Sequence, residues 1–154
     1  MGGKPLSGRN ILVVEDEMLI LLLLEEIMIE NGCASVKLAS SVQQALGLID
    51  SNSFDAATLD LNLNGIKSFS VADALEARCV PFVFMTGYSA SLLQGHYSGH
   101  PMLQKPFKEP ALVAELSRMI SMKGNTHLRL PAGGTAQGKR RMRRSGVAPA
   151  RAKP

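Results

Sequence analysis

The chain has 154 residues, of which 45% are hydrophobic and 19% charged, with a formal net charge of +4. That is the composition of an ordinary globular domain, and it excludes collagenous, low-complexity and disulfide-dense classes. The charge is divided: residues 1–122 hold 8 lysines and arginines against 13 acids, a net of −5, while residues 123–154 hold 9 basic residues and no acid.

In chain order, Ile11-Leu12-Val13-Val14 is a continuous apolar run of the kind buried on both faces of a parallel sheet, and it ends in Glu15-Asp16-Glu17. Residues 18–31 form an unbranched, Leu-rich stretch stopped by Gly32, read as a helix with Ile20, Leu23, Leu24 and Ile27 on its core face. A strand over 36–39 follows, then a helix to residue 49 capped by Ser40 or Ser41. The third strand, 54–59, delivers Asp60 at its carboxyl end, and the turn-formers Asn62, Asn64 and Gly65 come directly after it.

Ser68 or Ser70 caps a short helix over 71–77, and residues 80–85 form a fourth strand ending at Thr86-Gly87. The stretch 87–101 is rich in Gly and Ser, with room for one helical turn around 90–94, and is expected to be mobile. His96 and His100 in this stretch read as solvated loop histidines, and Phe82 and Phe84 as core. A fifth strand over 102–104 runs into Lys105-Pro106-Phe107, and the last helix spans 109–122 with Pro110 in its first turn. Beyond it, residues 123–154 hold Gly, Pro, Ala and basic residues with almost no large apolar side chain, so the domain is expected over 8–122 and a disordered basic tail over 123–154.

Alternating strands and helices indicate an α/β fold, a doubly wound parallel (βα)5 sheet of flavodoxin-like order 2-1-3-4-5 with a short or irregular fourth helix. The start of the chain has no secretory h-region, and no apolar run approaches the ~20 residues of a membrane helix. Cys33 and Cys79 lack CxxC spacing, which suits a reducing compartment and neither a disulfide framework nor a zinc site. A cytoplasmic location is expected.

The chemistry-bearing residues stand at strand ends: Asp16 after the first, Asp60 after the third, Thr86 after the fourth and Lys105 after the fifth. Open α/β sheets bind ligands outside those ends, where the strand order reverses. Order 2-1-3-4-5 makes the first and third strands neighbours, so Glu15, Asp16 and Asp60 converge. Three close carboxylates repel unless a cation neutralises them, and a hard divalent ion such as Mg²⁺ suits oxygen ligands. Lys105 offers a point charge for phosphate and Thr86 a hydroxyl, a set suited to an aspartyl phosphate formed on Asp60. Taken alone, Asp60 would also fit a turn cap.

On these pieces — Ile11 to Glu17, Asp60, Thr86-Gly87 and Lys105-Pro106-Phe107 — the chain resembles the receiver domain of two-component response regulators over roughly residues 8–122. The resemblance implies a metal site for Mg²⁺, or Mn²⁺ in its place, at Glu15, Asp16, Asp60 and the backbone carbonyl of Asn62, with Asp16 the direct ligand. It implies Asp60 as phosphoacceptor, Thr86 as the switch hydroxyl, Lys105 as the phosphate contact, and a cis Lys105–Pro106 bond. Pro81 to Tyr88 is similar to the subgroup named for a Phe-Ala-Thr-Gly motif, with Met85 in place of Ala, and that subgroup has a short or absent fourth helix. Met102 stands where most receivers carry an aromatic switch residue, so Tyr88 and Met102 are read as secondary switch positions.

The implied function is that of a single-domain response regulator, not an enzyme with turnover. Its phosphodonor would be a histidine kinase or histidine phosphotransfer protein, and its output contact with a further protein or drainage of phosphate. Leu19, Leu21, Leu22 and Ile29 fall outside the core stripe of the first helix, and with Pro106 and Phe107 they form the expected partner surface or a homodimer face. Two rival readings differ in class. A phosphatase of haloacid dehalogenase type needs a second Asp two residues after its nucleophile, where this chain has Asn62. Lys139-Arg140-Arg141-Met142-Arg143-Arg144 could bind nucleic acid, but the absence of a stacking aromatic or a helix-turn-helix argues against it.

Overall fold

The structure, a computed structural model, describes residues 2–87, 93 and 95–129, with side chains as far as Gly124. The chain divides into two compact units, Met1–Ser121 and Met122–Pro154, and the sheet and the polar cluster belong to the first. In chain order the elements are β1 (Asn10–Val14), α1 (Met18–Glu30), β2 (Ser35–Ala39), α2 (Val42–Ser51), β3 (Ala56–Asp60), β4 (Asn62–Leu63), β5 (Ile66–Lys67), α3 (Phe69–Ala77), β6 (Phe82–Thr86), β7 (Met102–Gln104) and α4 (Glu109–Arg129).

Five strands form one parallel sheet in the order β2-β1-β3-β6-β7. This is the flavodoxin-like order expected from the sequence once the small β4–β5 hairpin is set aside. The central strands β3 and β6 are buried at every residue, as continuous apolar runs must be when helices cover both faces. Alternation along each strand divides the core in two. Ile11, Val13, Val83 and Met85 meet α1 and the first turns of α4, and Leu12, Val14, Leu59, Phe82 and Phe84 meet α2 and α3.

The phase of α1 differs from the expected one. Leu21, Leu24, Ile27 and Met28 are buried, whereas Leu23 is half-exposed alongside Leu19, Leu22 and Ile29. Leu21, expected on the partner surface, is only 4% exposed and lies in the core. The reason is physical: Leu19, Leu22, Leu23 and Ile29 share the exposed side with Glu26 and Glu30, so the contrast between faces is weak and spacing alone does not fix which side meets the sheet. The carboxyl end of α1 is tied to the start of the chain. Leu6 is fully buried and its N–H donates to the Asn31 carbonyl at 3.0 Å, and Gly8 N–H donates to the Gly32 carbonyl at 3.0 Å. Gly32 has φ +99° and a Cβ there would sit 3.0 Å from Ser7 Cα, so only glycine fits. The packed unit thus includes residues ahead of the expected boundary at residue 8.

Ser41 caps α2 as expected, its Oγ accepting the Gln44 N–H at 3.1 Å. Helix α4 continues to Arg129, past the expected end at 122. Between β6 and β7 the described residues hold a 3-10 turn, Gly95–Tyr97. The helical turn expected around 90–94, with Leu93 excepted, lies outside the described residues, as do Tyr88 and the basic run 139–144.

Tyr97 is buried, stacked on Phe69 at 5.7 Å, and its hydroxyl donates to Asp73 Oδ1 at 2.6 Å. Exposed His96 pairs with Glu76 at 2.6 Å. His100, expected in solvent, instead stacks on Phe82 at 4.3 Å, with Nε2 2.9 Å from the Phe82 carbonyl oxygen. A histidine so placed is a half-buried aromatic packed on the core edge with one polar handle. Among the described residues no helix is long and apolar enough to cross a membrane.

Candidate functional site

The β1–β3 pairing, with Val14 opposite Leu59, sets the carboxyl ends of the two strands side by side. Glu15 and Asp16 therefore leave β1 next to Asp60 at the end of β3. One ligand oxygen from each of Glu15, Asp16 and Asp60 can be chosen such that all three lie within 4.8 Å of one another. Glu15 and Asp60 are buried and Asp16 is half-exposed.

Lys105 enters from β7. Its Nζ lies 2.7 Å from Glu15 Oε1 and 3.2 Å from Asp60 Oδ2. Its N–H donates to the Thr86 carbonyl at 2.7 Å, which fixes the lysine to the end of β6. The Lys105–Pro106 bond is cis, as expected. Thr86 is buried, one residue beyond Met85, the residue opposite Asp60 in the β3–β6 register. The fold thus brings together Glu15, Asp16, Asp60, Thr86 and Lys105.

The charges answer one another. Burial pushes the Glu15 carboxyl up to about 7, with the Asp60 charge adding to it against the hydrogen bonds from Lys105 and the Glu17 N–H. Burial draws the Lys105 ammonium down, but Glu15 and Asp60 outweigh it and leave the group raised. Lys105 is therefore a fixed cation among three carboxylates, too little charge to neutralise them all.

The loop after Asp60 is more ordered than its turn-formers suggested. Asn64 and Gly65, at φ +53° and +85°, make the two-residue turn of the β4–β5 hairpin, in which Leu63 pairs with Ile66. Positive φ at both central residues is the hairpin geometry that Asn-Gly favours. The Asn64 N–H donates to Asp16 Oδ2 at 2.9 Å, and the Asn62 N–H to Asp60 Oδ1 at 3.2 Å. Ser68 precedes α3 but makes no side-chain cap bond; its Oγ donates to the Asp60 carbonyl at 2.6 Å. Neither Asn64 nor Ser68 was picked out for the site from the sequence, although the Asn-Gly pair was a usable hairpin signal.

The remaining expected residues lie around this cluster. Met102 is half-buried against the α2–α3 side of the core. Phe107 packs partly against the α1–α4 side, and Pro106 is exposed. Leu19 and Leu22 point outward from α1 at 83% and 48% exposure.

The donor set fits a hard divalent cation: three carboxylates with oxygens in mutual reach. Any such ion would be held by Glu15, Asp16 and Asp60.

A family model described as the response regulator receiver domain matches residues 11–117. The chain is 34% identical over 123 residues to the transcriptional regulatory protein TcrA of Mycobacterium tuberculosis, a match covering 77% of this chain and 48% of that one. It is 26% identical over 115 residues to the transcriptional regulatory protein YvrH of Bacillus subtilis, covering 72% and 48%. The chain spans about half the length of these relatives. Among solved structures it is similar to the receiver domain of the sensor histidine kinase PA1611 of Pseudomonas aeruginosa, with a TM-score of 0.62, 28% identity and coverage of 75% and 99%. That structure has a magnesium ion coordinated in the active site cleft. A CheY-like receiver domain protein of Methanospirillum hungatei shares the fold, with a TM-score of 0.70, 21% identity and coverage of 78% and 99%.

Proposed function

Because the chain belongs to the response regulator receiver domain family of two-component phosphorelays, we propose that it is a phosphorylation-controlled switch whose Asp60 takes a phosphoryl group from a phosphohistidine. The donor is a histidine kinase or a histidine phosphotransfer protein, the partners of receiver domains in general. The observation that carries this reading is the convergence of Glu15, Asp16 and Asp60 beside Lys105 at adjacent strand ends.

An Asp60 carboxylate oxygen attacks phosphorus, the P–N bond of the donor breaks, and the imidazole leaves with the electron pair and takes its proton from solvent. Glu15, Asp16, Asp60 and the Asn62 backbone carbonyl would hold a Mg²⁺ ion, which would supply charge neutralisation for the phosphoryl oxygens. Lys105, already 3.2 Å from Asp60, pairs with the new dianion, and the Thr86 hydroxyl hydrogen-bonds one of its oxygens. The Lys105 N–H is bonded to the Thr86 carbonyl, so the two respond together and bias the segment between Thr86 and Met102. With Met102 at the usual aromatic position, Tyr88 and Met102 act as secondary switch positions.

The donor docks on the outer face of α1, where Leu19, Leu22 and Leu23 are exposed, and on Pro106 and Phe107 beside the site. A homodimer through the same face is the competing use. Output runs through contact with a further protein or through drainage of phosphate, and the expected setting is cytoplasmic. A hydrolase with turnover is disfavoured because Asn62 stands where a second carboxylate would act as acid and base.

Intact-mass measurement with Mg²⁺ and a small-molecule acyl phosphate tests the assignment. Wild type gains one phosphoryl group, and Asp60→Ala gains none. Equal uptake by the two proteins would end the reading.

A further inference from the structure

We infer that Ser68 is a positioning residue for Asp60, an inference that rests on Asp60 being the phosphoryl acceptor. Asp60 ends β3 opposite Met85 of β6, and its carbonyl lies past the last β1–β3 pairing, Val14 with Leu59. Ser68 meets that carbonyl. Its hydroxyl, fully buried, donates to the Asp60 carbonyl at 2.6 Å and lies 3.2 Å from the Leu61 carbonyl, while its N–H donates to the Leu61 carbonyl at 3.0 Å. Two donors of one residue thus engage two successive carbonyls at the strand end.

The span they close is already a ladder, with Asn62 opposite Lys67 and Leu63 opposite Ile66. The segment 60–68 is therefore one stiff unit, and the Asp60 carboxylate is fixed to it again through the Asn62 N–H. A serine just ahead of a helix ordinarily caps it; here no such bond forms, and the hydroxyl serves the peptide group of the nucleophile instead. Without that hydroxyl a buried carbonyl loses its donor and the strand end relaxes. Displacement of a reacting group by about 1 Å is enough to slow a reaction by one to two powers of ten.

The test measures Mg²⁺-dependent phosphate uptake by intact mass across a range of acyl phosphate concentrations, for wild type and for Ser68→Ala, Ser68→Cys and Ser68→Thr. Rates are taken per folded molecule, with the folded fraction read from a thermal melt. The expected result is a maximal rate about tenfold lower in Ser68→Ala and Ser68→Cys, an unchanged half-saturating concentration, and return to within about twofold in Ser68→Thr, which keeps the donor. A folded Ser68→Ala with the wild-type rate would overturn the inference while leaving Asp60 as acceptor. If Ser68→Ala does not fold, equal rates for Ser68→Cys and Ser68→Thr overturn it. Failure of wild type to take up phosphate at Asp60 would remove the underlying reading as well.

Discussion

Replacing Glu15 by Gln isolates the electrostatic state of the site. The Glu15 carboxyl is 1% exposed, and burial raises its ionisation from 4.5 to about 7 in the chain without a divalent cation. Below pH 4.5 the group is protonated in both folded and unfolded chains. As pH rises from there the unfolded chain releases the proton first, and the stabilising contribution is lost by the time the pH has passed about 7. A difference of about 2.5 pH at 1.36 kcal/mol each amounts to about 3 kcal/mol. Gln keeps an oxygen for Lys105 and does not titrate. In chelator, Glu15→Gln should therefore gain about 3 kcal/mol on wild type between pH 4 and pH 8.5. Urea unfolding followed by circular dichroism measures this directly. Adding Mg²⁺ at pH 8 should stabilise wild type by linkage and the variant much less. A stability difference that is flat with pH, or that moves against the variant as pH rises, would refute the argument that burial governs Glu15.

Leu19→Glu with Leu22→Glu should leave the melting temperature within about 2 °C and slow phosphotransfer from a histidine phosphodonor protein, with small-molecule phosphorylation unchanged; Leu21→Ala, in the core, should destabilise by about 2–5 kcal/mol in the same melts. Equal transfer by wild type and the double variant would remove α1 as a docking face. At His100, burial lowers the ionisation from 6.5, against the Phe82 carbonyl and Glu76, which raise it. The unfolded chain therefore gains that proton first as pH falls, so stability should decline below about 6.5 and through the folded value. His100→Phe should lessen that slope by up to about 1.36 kcal/mol per pH, and identical slopes in urea titrations of the two proteins would contradict it.

Much of this was legible in the sequence because strand ends are marked chemically. Each central strand is an apolar run that stops at a polar residue, and for Asp16, Asp60, Thr86 and Lys105 the pairing register then does the rest. Where legibility failed, the cause was a missing contrast or a contact set by closure. In helix α1 leucine and isoleucine share the exposed side with Glu26 and Glu30, a contrast too weak to set a phase, so Leu21 and Leu23 exchanged places between expectation and structure. The β4–β5 strands, of two residues each, are too short to show alternation. Ser68 reads as an ordinary cap until the loop folds back and puts its hydroxyl under Asp60. The Tyr97–Asp73 and His100–Phe82 contacts depend on how an irregular segment lies against α3 and β6, which no local period encodes.

The seating of Leu6 and Gly32 at the end of α1 makes that helix a shaft keyed at one end. Its outer leucines offer a partner a grip, and turning is resisted by Leu21, Leu24, Ile27 and Met28 in the core and, at the carboxyl end, by the short stem around Leu6 bonded to Asn31 and Gly32. A protein pulling on Leu19 or Leu22 therefore loads residues at the opposite end of the helix, so trimming the stem at residue 8 would loosen the bearing without touching the phosphoryl site.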